Sequence, residues 1–380
     1  MSQLKLTGLS RCFARWRLYL LAWALLLGQS VQGQSLADAA DGAVPVEEAG
    51  IAKENPLFTG GEVLKLKLVT DYQRLLRDRG DERGYHPATL SYTDSAGQTV
   101  SLSLKVMVRG NRRRDPSVCR FPPIMLNFAR KTTGGSLFEH VNKVKLVTHC
   151  VGEEYVLREY LVYKVYNVLT EQSFRVRLCQ VEYVDAQGER KAEHRYAFLI
   201  EDDKEMAKRS HAKLLPKKRV FRMDRTDERA MARLAVFQYM IGNTDWSVPF
   251  RHNIDLISAD SLAPPIPVPF DFDYAGIVGA PYAMPPPELG ISTVQQRLYR
   301  GYDFPENIYR EVINTFNSYR TPIYAVYQQC EPLSKSSLRQ SLKYLDNFYK
   351  VINNPRKFQN EIVRVGENNQ KAYVAVKGLQ

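Results

Sequence analysis

Four polar residues late in the chain have the types and spacing to handle a phosphorylated ligand. Asp245 sits in a polar loop after an apolar helical segment, Asn253 opens the short apolar run Ile254, Leu256, Ile257, and Asp271 closes a second run, Ile266, Val268, Phe270. Carboxylate, amide and carboxylate delivered on two neighbouring strands suit a hydrated divalent cation that also carries phosphate oxygens. Asp273 follows two residues after Asp271, so the two acids share a face if the segment is extended, and Asp271 is the first choice of ligand with Asp273 the alternative. Asp and Asn are also ordinary turn residues, so the pattern takes its meaning from the elements that would position it.

Those elements are legible from periodicity. Residues 63–69 alternate, as do residues 99–108 (Val100, Leu102, Leu104, Val106, Val108) after the turn Ser95-Ala96-Gly97, and both segments read as strands. Residues 75–85 between them read as a charged loop or short helix. The strand ending near 109 runs into Gly110-Asn111-Arg112-Arg113-Arg114, and further strands are predicted over 121–129 and 142–149, the latter carrying Lys143 and Lys145. Leu157, Tyr160, Leu161, Val165 and Val168 then fall at helical spacing in a segment that also holds Glu159. Strands follow over 174–184 and 195–200, ending at Glu201-Asp202-Asp203, and a helix over 224–241 has Asp224 or Thr226 available as its cap. The proline-containing stretch 274–300 and the tyrosine- and leucine-rich helical periodicity of 305–363 complete the chain.

Composition bounds the class. With 44% hydrophobic and 25% charged residues the 380-residue chain is an ordinary globular one, long enough for a full core. Residues 1–33 stand apart: Lys5, Arg11, Arg15 and Arg17 precede a short apolar run over 18–27, and small residues follow, the pattern of a secretory signal peptide. The run is short for a membrane span, which leaves an uncleaved anchor as the alternative. Cleavage leaves 49 of the 53 basic residues against 41 acidic ones, a net +8, which suits anionic partners and also simple solubility. Residues 34–55 read as a flexible linker. Of the five cysteines, Cys119, Cys150, Cys179 and Cys330 lie beyond the leader, an even set that in an exported chain suggests disulfides. Cys119 and Cys150 fall at the ends of two predicted strands, so Cys119 with Cys150 and Cys179 with Cys330 is the favoured of the three connectivities.

Strand, turn, strand, lysine strand, glutamate helix, two strands, hinge, helix, Asp loop, Asn and Asp is the element order of a protein-kinase fold. Within that class the chain resembles the secreted atypical kinases of the spore-coat CotH type, and more distantly HipA-like and phosphoinositide-kinase-like enzymes. Val108-Arg109-Gly110-Asn111 resembles the Arg-Gly-Asn turn of the CotH-type proteins, Phe198-Leu199-Ile200-Glu201 their hinge strand, residues 243–253 their catalytic loop and Asp271-Phe272-Asp273 their second acidic motif. The resemblance covers about residues 100–350. It implies an α+β bilobal fold, with a strand-rich, antiparallel-sheet N-lobe holding one main helix over 56–200 and a mainly helical C-lobe over 201–380.

It also implies roles. Asp245 would orient or deprotonate the acceptor, Asn253 and Asp271, or Asp273, would hold Mg2+ or Mn2+, and Lys145 paired with Glu159 would bind the phosphates of ATP or another nucleotide. Lys143 lies on the same strand face, so spacing alone does not choose between the lysines. Arg109, the Arg112-Arg113-Arg114 run and the Glu201 hinge would complete the nucleotide site. The phosphate-covering turn has one glycine, no His-Arg-Asp precedes the loop, and Asp245 and Asn253 stand further apart than the roughly five residues of ordinary kinases. The implied function is phosphoryl transfer to a protein or small-molecule acceptor outside the cytoplasm, in the periplasm or secreted. A secreted pseudokinase or binding protein using the same cleft is the second expectation. A nucleic-acid partner is not expected, because no recognisable module interleaves basic and aromatic residues.

Overall fold

The computed structural model describes residues 55–260 and 262–372, which lie in one compact unit. The expected leader and nearly all of the expected linker fall outside the described residues. The protein is α+β. Ten strands are described: β1 (Leu64–Thr70), β2 (His86–Thr93), β3 (Thr99–Val108), β4 (Ile124–Phe128), β5 (Lys143–Val147), β6 (Val176–Asp185), β7 (Glu193–Ile200), β8 (Lys213–Leu214), β9 (Ile254–Ser258) and β10 (Ile266–Pro269). The α-helices are α1 (Pro56–Thr59), α2 (Tyr72–Arg77), α3 (Glu153–Leu169), α4 (Asp203–Arg209), α5 (Glu228–Ile241), α6 (Glu306–Ser318), α7 (Arg320–Gln328), α8 (Lys335–Ile352), α9 (Pro355–Phe358) and α10 (Arg364–Ala372). Among the described residues no helix is long and apolar enough to cross a membrane.

Seven strands close into a barrel in the order β1-β2-β3-β4-β5-β7-β6. The expectation was an antiparallel sheet, and six of the seven pairings follow it; the seventh, β1 against β6, is parallel and closes the ring, with Leu64 opposite Cys179 and Thr70 opposite Asp185. Alternation explains the fill. Leu64, Leu66 and Leu68 point inward with Leu104, Val106, Leu126, Phe128, Val181 and Leu199, and the intervening positions of β1 face outward or partly so. Strand β2 follows the stretch 75–85 read as a charged loop or short helix, in a segment where no element was expected. Its inward Leu90 and Tyr92 are buried, but Pro87 and the polar residues between them mask the alternation.

A second core gathers α3, α5 and the C-terminal helices. Helix α3 is buried on most of its circumference, which suits an element covered by strand β7 on one side and helix α7 on the other. Asp227, and not Asp224 or Thr226, caps α5: its carboxylate accepts from Ala230 N at 2.8 Å. Gly242 ends α5 in the left-handed region at φ 68°, and a Cβ there would meet the Tyr344 hydroxyl, so glycine answers both backbone and packing. The short strands β8, β9 and β10 form a separate three-stranded sheet in the order β10-β9-β8.

The expected Cys119–Cys150 disulfide is present, its sulfurs brought together by an isolated bridge between Phe121 and Cys150. The second expected bridge is not. Cys179 and Cys330 are free thiols, the first inside the barrel core and the second packed against the helical core, and Tyr160 has both among its electrostatic neighbours.

Candidate functional site

The polar loop after α5 is held by its own side chains. Asn243 accepts from Asp245 N at 3.0 Å, and Ser247 and His252 exchange backbone hydrogen bonds, so the chain doubles back and places His252 and Asn253 against Asp245. His252 Nε2 lies 2.8 Å from Asp245 Oδ1, and the Asn253 amide donates to Asp245 Oδ2 at 3.0 Å and to the Asp245 carbonyl at 2.9 Å. The hydrogen bond to Asp245 raises the His252 pKa against the opposing effect of burial. Arg300 donates to the Thr244 and Trp246 carbonyls from beneath the loop, and burial pushes its pKa down to about 10. Sequence alone placed no partner beside His252; its place next to Asn253 was the only signal.

Asn253 and Asp271 both have left-handed backbone, φ 52° and 60°. Neither is glycine, so this conformation is retained at a cost that clusters characteristically at functional sites. Phe270 N donates to the Asn253 carbonyl at 3.0 Å and Asp271 N to the Tyr163 hydroxyl of α3 at 2.8 Å, which ties the end of β10 to the loop and to the helix.

The partner of the acids is Arg113. The 3-10 turn Arg112–Arg114 that follows β3 carries it inward, where its guanidinium is only 7% exposed. Nη1 donates to Glu159 Oε2 at 2.9 Å, Nη2 donates to Asp271 Oδ1, and Nε lies 3.2 Å from Asp273 Oδ2. Tyr282 donates to the same Asp273 oxygen at 3.0 Å. Burial pushes Glu159 up, and pushes Asp273 well above the usual carboxylate range, in spite of Arg113. Burial would raise Asp271 too, but Arg113, Arg109, Lys145 and His252 hold it below that range. Asp271 is thus the lasting counter-charge of the cluster, and with 36% of its side chain exposed against 8% for Asp273 it is the acid a ligand reaches.

This arrangement changes three expected roles. Glu159 takes its ion pair from Arg113, not from Lys145, because α3 turns it toward the loop after β3. Asp271 Oδ1 and Asp273 Oδ2 share a guanidinium where a metal was expected, the Asn253 amide nitrogen donates to Asp245, and among the described residues no group of three or more His, Cys, Asp or Glu side chains is arranged to hold a metal ion. Glu201 is likewise structural. Arg209 donates to both of its oxygens, at 3.0 and 2.9 Å, and Arg175 N donates at 3.0 Å, so its carboxylate is not free for a cofactor.

Lys145 and Lys143 part company. Lys143 is exposed and lies over the Tyr85 ring, whereas Lys145 sits over Phe174 and Phe270, 5.9 and 5.6 Å from the ring centres. Burial lowers the Lys145 pKa, Arg109 adds to the effect, and Asp203, Asp255 and Asp202 oppose it. Burial also lowers Arg109, which Asp271 partly restores. Lys145, Arg109 and Asp271 therefore share one electrostatic neighbourhood, with the Asp245 loop joined to it through His252. Two cations beside acids positioned on rigid strand ends can hold an anionic group and offer a carboxylate to a neighbouring hydroxyl.

No family model matches the sequence, and no curated protein matches it. Among solved structures the chain is similar to the Helicobacter pylori proinflammatory kinase CtkA, at 10% identity and a TM-score of 0.34 over 76% of this chain and 92% of that one. It is also similar to a chain of the Shewanella oneidensis MR-1 toxin–antitoxin complex of HipA, HipB and operator DNA, at 13% identity and a TM-score of 0.32 over 62% of this chain and 61% of that one. Neither fold nor chemistry follows from overlaps of that depth, and both rest on this chain's own residues.

Proposed function

We propose that the protein is a kinase-like phosphotransferase with a bilobal plan, barrel followed by helical lobe, acting outside the cytoplasm on a protein or small-molecule hydroxyl. The observation that carries the reading is the convergence of Lys145, Arg109 and Asp271 with the Asp245-His252-Asn253 cluster, on elements drawn from both cores. Lys145 and Arg109 would neutralise the phosphates of a nucleotide. Asp245 would accept the proton of the acceptor hydroxyl as its oxygen bonds to the terminal phosphorus and the bond to the leaving diphosphate breaks, while His252 and Asn253 fix the carboxylate's direction. Charge neutralisation in this scheme comes first from side-chain cations, since Arg113 occupies Asp271 Oδ1 and Asp273 Oδ2. The disulfide supports action in an oxidising compartment.

The Arg113 cluster favours a second reading, a binding protein that keeps nucleotide or another anion without turnover. Purified protein titrated with nucleoside triphosphates separates the two. Phosphotransfer predicts thermal stabilisation by nucleotide that Lys145→Ala removes, and terminal phosphate release that Asp245→Ala abolishes while binding persists. Binding without release selects the second reading, and the absence of stabilisation by any nucleotide rejects both.

A further inference from the structure

Helix α4 and the chain that follows it carry positive charge that neighbouring acids leave unmatched. Over residues 204–222 eight lysines and arginines stand against a single acid, Glu205. Two of the arginines are paired, Arg209 with Glu201 and Glu171 and Arg222 with Asp224. Lys204, Lys208, Lys213 and Lys217 are exposed and have no carboxylate at ion-pairing distance among the described residues. Lys204 and Lys208 stand one turn apart on α4, where like charges repel.

The four lysines are not scattered. All of them line one open groove of about 740 Å³, bounded by α4 and by the segment that runs through β8, to which Ala207, Leu214, Leu215 and Pro216 add apolar surface. A cleft lined by one sign of charge concentrates its field on whatever enters, an effect that cations spread over a convex surface for solubility do not produce. The groove also abuts the proposed site. Lys217 and Lys145 are both in electrostatic reach of Asp255, and β9 leads from Asn253 at the Asp245 cluster to Ala259 on the groove, roughly 20 Å of extended chain. The occupant that matches cationic walls with apolar surface between them carries acids and apolar side chains together and is narrow enough to enter a concavity. A flat layer of lipid headgroups meets the charge but not the shape. We propose that this groove docks an extended peptide segment of a protein partner in which acidic and apolar residues are interspersed. The inference deepens the reading above by making the hydroxyl-bearing acceptor a protein, and rests on that reading for this step alone.

A labelled peptide of alternating glutamate and leucine, titrated into the full protein without nucleotide, tests the docking. Wild type should bind it roughly tenfold tighter than the same peptide with serine in place of leucine, or with lysine in place of glutamate, and added salt should weaken the binding. Lys204→Glu with Lys208→Glu, two exposed changes on α4, should weaken it roughly tenfold or more. Lys213→Ala with Lys217→Ala removes the other two cations and should act in the same direction, which keeps the test decisive if the charge reversal unfolds α4. Binding of the serine peptide or of inorganic polyphosphate as tightly as the leucine peptide would reduce the groove to a general anion patch and overturn the inference. Binding to phosphatidylglycerol vesicles that both variants lose, with no binding of the peptide, would make it a membrane face and overturn the inference as well. So would peptide binding that survives in both variants, or no binding of any probe. All of these outcomes leave the nucleotide reading standing, because no nucleotide is present. Conversely, a protein that binds the peptide but is not stabilised by ATP would lose the phosphotransfer reading and keep the docking groove.

Discussion

Arg113 and Asp271, 158 residues apart in sequence, are joined as an ion pair that ties the turn after β3 to the end of β10, with Glu159 of α3 as the guanidinium's second acceptor. Removing the cation strands Glu159 and Asp273, both almost fully buried, and leaves the partly exposed Asp271 without its partner. Arg113→Leu is expected to destabilise the protein by about 3–5 kcal/mol, because breaking a buried pair leaves its partners uncompensated. Urea unfolding of the variant beside Asp273→Asn checks it. Asp273 is the acid that burial already pushes toward its protonated form, so the neutral amide should cost markedly less than the arginine change.

Lys145 and Lys143 should separate cleanly in binding. Lys145 is enclosed by Phe174 and Phe270 near Arg109 and Asp271, whereas Lys143 is on the surface over Tyr85. Lys145→Ala is expected to weaken nucleotide binding at least roughly tenfold and Lys143→Ala less than about twofold, since a surface charge contributes little. Titration calorimetry on both variants is sufficient, and equal losses would contradict the assignment.

Local patterning accounts for what could be read from the chain. Strands β1 and β3 alternate strictly, α3 and α5 repeat at helical spacing, and Asp245, Asn253 and Asp271 stand at the loop and strand ends their types suggested. What escaped depends on distant pairing. Barrel closure rests on β1 meeting β6, more than a hundred residues on, and nothing within either strand specifies a parallel partner. Arg113 read as one of three arginines reaching for phosphate, whereas packing turns it inward onto the acids, and Asp255 was hidden inside an apolar run that reads simply as a strand. Cys179 and Cys330 pair on paper by elimination, yet sit in different cores.

The single disulfide makes a countable prediction. Among the described cysteines, the denatured protein should show two reactive thiols, Cys179 and Cys330, rising to four on reduction. Cys119→Ser with Cys150→Ser should lower stability by about 2–4 kcal/mol, the usual contribution of one bridge. Thiol counts on the wild type and on Cys179→Ser and Cys330→Ser, each removing one thiol and leaving the bridge, would check the pairing.

His149 should make stability fall on mild acidification. Its ring stacks on Phe121 with Nδ1 buried and unpartnered, and burial lowers its pKa to about 4. The unfolded chain, with His near 6.5, binds the proton more readily than the folded one, so stability is at its full value above about pH 6.5 and declines as pH falls toward 4. A shift of this size amounts to roughly 3 kcal/mol over that window, less what partial exposure screens away. Urea unfolding at stepped pH should show a shallower decline in His149→Phe, and parallel curves would remove His149 as the cause.

The guanidinium between Asp271 and Asp273 also sets an expectation about metals. A divalent ion can use Asp271 Oδ1 and Asp273 Oδ2 only by displacing Arg113, which carries three acidic partners and whose pKa those partners raise in spite of burial. Nucleotide affinity of the wild type should therefore change less than about threefold between magnesium and a chelator, a difference small beside the tenfold that corresponds to 1.4 kcal/mol. Arg113→Gln keeps the loop polar but withdraws the charge, so the acids become available and magnesium should now strengthen nucleotide binding by roughly tenfold or more. A wild type as metal-dependent as the variant would mean that the ligand itself displaces Arg113. The ion pair would then be a feature of the ligand-free state, and the metal ligands first read from Asn253 and Asp271 would be restored.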